Sequence, residues 1–325
     1  MVRMWTRAGQ TAMEKQVGFR ITYFFVYGVV YLLSVLPFCV LYLLSDALYV
    51  LIYYVIGYRR GVVKDNLMHS FPEKSPLALK RIEKKFYRFF CDYIVETFKL
   101  ASISEKEIKR RIIFQGMADM TRLYAEGYDF IFLYLGHYCN WEWVSTIPVH
   151  LPPYVHGGQI YHPLYNKVID RLLLKLRGRF GSENIAMKHT MRRIVNLQQS
   201  KTPTMIGFIS DQLPKWESIH LFLPFLHRQT AVFTGAERIG KHLNVAYFYV
   251  DISRPHRGYY HCSFKRLSAS KDDTNEFPIT TKFMSLLEQS INTNPQYWLW
   301  THKRWKRTKE EWEQCHIKKQ SIQNK

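Results

Sequence analysis

With 325 residues, 47% hydrophobic and 16% aromatic, the chain can bury a full core and has no low-complexity segment, which excludes intrinsic disorder outside Lys318 to Lys325. A net charge of +20 points to nucleic acid, anionic lipid headgroups or an acidic protein partner, and composition does not choose between them. Five scattered cysteines without a C-x-x-C pair argue against a structural zinc site and a disulfide framework, and so for a reducing, cytosolic setting.

The first element is an uncharged run from Ile21 to Ser45, bounded by Arg20 and Asp46 and long enough to cross a bilayer core of about 30 Å as a helix. Pro37 should kink it, and a second apolar block, Ala47 to Tyr58, follows before Arg59 and Arg60. Many tyrosines along both suit an interfacial belt. A span, a re-entrant element and an in-plane anchor all fit, and basic residues on both flanks leave the orientation open. The expected division is an anchor at 1–60, one domain at 61–315 and a tail at 316–325.

From Pro76 to about Ser102 the apolar residues recur at helical spacing with Lys80, Arg81, Lys84, Lys85 and Arg88 between them, so this helix either covers the core or lies on an anionic membrane. Ser104 and Glu107 form a capping-box signature, and Gly127 stops a helix before the strand Phe130 to Leu135. Strands are then expected at 154–160, 204–209, 245–252 and 259–267, and helices at 166–176, 189–199, 234–243 and 280–292. That alternation predicts an α/β fold with a mixed, mostly parallel sheet flanked by helices.

Chemistry-bearing residues gather at strand ends, where open α/β sheets hold ligands. His137 follows the strand Phe130 to Leu135, and Glu142 stands one turn further on. An imidazole can take a proton from an attacking hydroxyl while a carboxylate fixes its tautomer, although a strand-end histidine and a first-turn helix acid would read the same way. Arg177 and Arg179 end a helix, where guanidiniums can clamp phosphate or simply complement the helix dipole. Asp211 ends another strand and suits a turn, a metal ligand or a partner for an arginine. Residues 294–306 interleave aromatics with bases, as nucleic-acid stacking surfaces do.

Taken in order, these residues resemble the late acyltransferases of lipid A biosynthesis. Gly136-His137 with Asn140-Trp141-Glu142 resembles their His-x4-Asp/Glu motif, and Arg177, with Arg179 close by, falls where the family carries an arginine after the next helix. Ser210-Asp211-Gln212 is similar to their acidic strand end. Phe222 to Phe225 and Thr234-Gly235 form a degraded copy of a further family segment, and Pro295 to Lys306 is similar to the closing signature.

The resemblance implies a glycerol-3-phosphate acyltransferase-like fold with an N-terminal membrane-anchoring helix. It also implies transfer of a fatty acyl group from acyl carrier protein to a hydroxyl of a lipid A precursor, on the cytoplasmic face of a bacterial inner membrane rich in anionic lipid. His137 would be the general base and Glu142 would hold it. Arg177, Arg179 and Asn140 would bind substrate, with Asp211 orienting an arginine. No cofactor, metal or nucleic-acid partner is implied, and Cys139 would not carry the acyl group. Three rivals remain: the same chemistry on another lipid, a tethered metallohydrolase using His137, Glu142, His150 and Asp211, and a non-catalytic basic binding protein.

Overall fold

The computed structural model describes residues 2–269 and 275–315, with side chains from Gln16 onward. The expected tail, residues 316–325, lies outside the described residues.

Helix α1 (Val2–Val35) stops just before Pro37, which lacks an N–H and whose ring collides with the carbonyl four residues back. Helix α2 (Phe38–Val50) starts directly after that proline and continues as a wider π-helical turn, Leu51–Ile56, until Gly57 ends it in the left-handed conformation. The expected single kinked helix is therefore two helices, and the block after Ala47 belongs to the second. Gln16–Val35 and Phe38–Ile56 are each long and apolar enough to cross a membrane. Phe25 and Leu32 leave 72% and 69% of their surface exposed, apolar area that suggests membrane association.

Helix α3 (Arg60–Ser70) leads to α4 (Pro76–Lys99), which Ser75 caps through Ala78 N–H while Pro76 occupies a first-turn position that needs no donor. Phe86, Phe89 and Val95 of α4 are buried while Lys84, Lys85 and Arg88 face water, so the helix covers the core. Its last residue also repairs the break at Pro37. Lys99 Nζ donates to the carbonyls of Ser34 at 2.6 Å and Leu36 at 2.8 Å, and Ser102 Oγ donates to Ser34 as well. These oxygens have lost their helical donors, and leaving them unpaired in a buried joint would be costly.

The remaining elements run α5 (Glu105–Arg111), β1 (Ile112–Gln115), α6 (Met117–Arg122), β2 (Phe130–Leu135), a 3₁₀ segment (Trp143–His150), β3 (His156–Tyr161), α7 (Lys167–Gly178), β4 (Glu183–Ala186), α8 (Thr190–Gln199) and β5 (Thr204–Ile209). A hairpin of β6 (Phe222–Phe225) and β7 (Arg228–Ala231), α9 (Gly235–Gly240), β8 (Val245–His256), β9 (Tyr259–Leu267) and α10 (Pro278–Thr293) complete the fold. Seven strands form one sheet in the order β1-β9-β8-β2-β5-β3-β4, parallel at every pairing except β8 with β9. The fold is thus a mixed, mostly parallel sheet flanked by helices, with two apolar helices at its N-terminus.

Strand β2 lies in the middle, and all six of its residues are buried, as a parallel strand covered on both faces requires. Strands β1, β4, β6 and β7 have four residues each, too short to show a period in the sequence. Helix α9 is shorter than the expected 234–243, and β3 begins at His156 rather than Tyr154.

Candidate active site

The centre of the sheet delivers two chain ends to one place. Strand β2 is in register with β5, so Leu135 lies opposite Ile209, and the residues just beyond them, Gly136-His137 and Ser210-Asp211, emerge together. A Cβ on Gly136 would sit 2.7 Å from Leu287 Cδ1, so glycine lets α10 pack against this turn. His137 Nδ1 lies 2.6 Å from Asp211 Oδ1, and the His137 backbone N–H donates to Asp211 Oδ2 at 2.8 Å. Trp298 donates its indole N–H to the same Oδ2 at 2.8 Å, and the Trp141 ring meets the imidazole edge-on at 5.0 Å.

Asp211 is 1% exposed. Burial alone would raise its carboxyl, but the His137 imidazole and the hydrogen bonds from His137 and Trp298 outweigh it and hold the group below the usual carboxylate range. A charged Asp211 next to Nδ1 favours the tautomer with its proton on Nδ1, which leaves Nε2 as an acceptor. Gln212 Nε2 stands 3.1 Å from that atom.

Glu142 lies elsewhere. Cys139 adopts φ 52° and Tyr138 bridges to Trp298, so the chain turns sharply after His137 and carries Glu142 to Arg177 near the end of α7. Arg177 donates Nε to Oε2 at 2.7 Å and Nη2 to Oε1 at 2.6 Å, while Tyr93 Oη adds a bond to Oε1 at 3.2 Å. Glu142 is buried, which by itself raises its carboxyl, yet the Arg177 charge and these hydrogen bonds hold it below its ordinary value. The expected partners are exchanged: Asp211, not Glu142, holds His137, and Glu142, not Asp211, holds an arginine. A sharp turn after a strand is invisible to a spacing argument that assumes a regular helix.

Two other expected substrate contacts are occupied by the fold. Arg179 donates to the carbonyls of Leu100 and Ile103 just beyond α4. Asn140 is fully buried, donating to Glu96 Oε2 at 2.7 Å and accepting from Trp143 N–H. Glu96 also receives Tyr42 and Tyr260 hydroxyls at 3.0 and 2.6 Å, a knot tying α2, α4 and β9 together beneath the site. Sequence reading missed it because the members lie far apart in the chain.

His150 packs on Phe114, and among the described residues no group of three or more His, Cys, Asp or Glu could hold a metal ion, so the four residues of the metallohydrolase reading do not converge. Cys139 is buried, which pushes its thiol well above the ordinary value, a poor setting for a nucleophile. In the closing segment Trp298 and Trp300 are buried and their indoles donate to Asp211 and Pro295, so these rings are core rather than a stacking surface.

A strand-end imidazole backed by a buried carboxylate, on an α/β sheet with two helices long and apolar enough to cross a membrane, is a geometry suited to moving a proton. The sequence makes this specific. Residues 11–307 match the model of the bacterial lipid A biosynthesis acyltransferases, and the chain belongs to that family. It is thus an acyltransferase of the lipid A type. A search of curated proteins found no match.

Proposed function

We propose that the chain transfers a fatty acyl group from acyl carrier protein to a hydroxyl of a lipid A precursor, at the cytoplasmic face of the inner membrane. The observation that carries this reading is the His137–Asp211 contact, which leaves Nε2 as an acceptor on a partly exposed ring. Nε2 takes the proton of the acceptor hydroxyl as its oxygen attacks the thioester carbonyl. The tetrahedral intermediate then expels the carrier thiolate, and the imidazolium returns the proton to sulfur. General-base assistance of this kind contributes about 10² to 10⁴-fold.

The Gln212 amide occupies the place beside Nε2 that the acceptor hydroxyl would take. Asp211 orients and charges the base. Arg177 engages Glu142 through Nε and Nη2, which leaves Nη1 to meet a substrate phosphate. Glu142 therefore positions that arginine. The basic surface would draw in both the acidic carrier and an anionic acceptor.

The test is mass spectrometry of total lipid A from cells with the wild-type gene, a deletion or His137→Ala. Loss of one secondary acyl chain in both altered strains supports the reading. An unchanged lipid A with another lipid losing an acyl group overturns the acceptor, and no change in any lipid overturns the activity.

A further inference from the structure

A cleft lies outside the His137 site. It has a volume of about 310 Å³ and is lined by Gly61, Val62, Asp65 and Asn66 of α3 and by Arg228, Lys303, Trp305 and Lys306 from later in the chain. Three of these residues are cationic and one is acidic. The Arg228 guanidinium stacks on Trp305 at 4.6 Å, and its buried Nη1 has no hydrogen-bond partner; Asp65 is 3.9 Å away. Arg304, between Lys303 and Trp305 in sequence but behind the lining, is 1% exposed, donates Nη2 to Ala231 O, and leaves Nε and Nη1 unpartnered. Among the described residues Arg304 has no carboxylate at ion-pair distance. Buried donors are rarely left without an acceptor, and cationic ones least of all, so this corner of the molecule is short of an anion.

The fold holds the cleft in register with both the membrane helices and the base. Its floor begins four residues after Gly57, where the second apolar helix ends, and Asn66 donates to the carbonyls of Trp300 and His302. The same segment carries Trp298, which holds Asp211, and Leu299, whose N–H donates to His137 O. Arg228 is presented by a hairpin whose turn residues, Leu226 and His227, both have positive φ. That strained conformation is rare for such residues; buried Leu226 is held through its N–H by Glu288.

We infer that this cleft binds the phosphate group of a membrane lipid headgroup, held by Arg228 and Lys303 with Lys306 at the rim. Guanidinium and ammonium groups are the side chains that bind phosphate best, and the position at the end of an apolar helix is where a headgroup lies. If the acyl-transfer reading holds, on which only the kinetic arm below rests, the phosphate belongs to the acceptor, anchored here while its hydroxyl reaches Nε2.

The experiment uses the full-length protein and phosphatidylcholine vesicles with or without phosphatidic acid. Lys303→Gln with Lys306→Gln, both at exposed positions, and Arg228→Gln with Lys303→Gln are compared with a charge-matched control, Lys188→Gln with Arg192→Gln. Each lost cation near the surface should weaken binding to the phosphatidic acid vesicles about fivefold. The control should lose clearly less, and binding to pure phosphatidylcholine should not move. Equal losses in cleft and control variants, or no loss in the cleft variants, overturn the site.

In the kinetic arm, the cleft variants should raise KM for a phosphorylated acceptor and leave KM for the acyl donor alone. A rise for the donor overturns the assignment to a lipid and points to the carrier's own phosphodiester. His137→Ala separates the two proposals: vesicle binding should persist in it while acyl transfer is lost.

Discussion

Two buried carboxylates flank the turn after β2, and they do different work because their partners differ. Asp211 faces an imidazole, whose second nitrogen can accept a proton, whereas Glu142 faces a guanidinium, which has no acceptor. The first pair can move a proton. The second holds a charge in place, and its bidentate geometry ties the end of α7 to the turn after β2. Proximity in sequence, five residues from His137 to Glu142, says less about function than which side chain lies across the sheet.

That contrast can be broken most sharply with Asp211→Asn, which keeps the shape but removes the charge. Acyl transfer should fall about 10³-fold, since the tautomer with a usable Nε2 loses its support, and the melting temperature should fall too, because the new amide N–H groups face the donors of His137 and Trp298. An activity within a few-fold of wild type would remove Asp211 from the mechanism.

Breaking the other pair should show in stability as well as in acceptor binding. Glu142→Gln or Arg177→Leu each leaves a buried charge unpaired, and urea denaturation should register a loss of about 3–5 kcal/mol. The double variant should lose less than the sum, because the two side chains interact directly. Additive losses would mean that the ion pair does not form in solution.

Smaller effects sharpen the picture around the dyad. Trp298→Phe removes one hydrogen bond from the buried Asp211 carboxylate and should cost about 1–3 kcal/mol, with a loss of activity. Gly136→Ala should cost a similar amount, since its new methyl group must displace the buried Leu287, and a thermal melt would measure it.

The gentlest probe is acid. Asp211 and Glu142 both titrate below their ordinary values in the folded chain, so each contributes stability that is present above the unfolded carboxylate value and disappears as pH falls. Stability should therefore decline below about pH 4. In Arg177→Leu the decline should be shallower, because Glu142 loses the cation that holds it down. An unchanged acid slope would show that Glu142 contributes nothing there.

Much of this was legible in one dimension. The apolar run Phe130 to Leu135 ends at a histidine, Ser104 and Glu107 mark a helix start, and Asn166 heads α7, where its Oδ1 accepts from Val168 and Ile169. The ordered motifs from His137 to Lys306 were enough to suggest the family. Local patterns of this kind are written in consecutive residues, because strands and helices repeat every two or 3.6 positions.

What stayed hidden was the pairing. Trp298 reaches Asp211 from 87 residues away, Glu96 gathers Tyr42 from α2, Asn140 from the turn after β2 and Tyr260 from β9, and Lys99 closes a gap that Pro37 opens 62 positions earlier. Sequence alone determined which residues stand at the strand ends, how apolar the first helices are, and which chemistry the histidine can perform. Only the tertiary structure decided that Asp211 rather than Glu142 meets that histidine. Partner choice depends on strand order and on a left-handed turn at Cys139, and neither has a period to read.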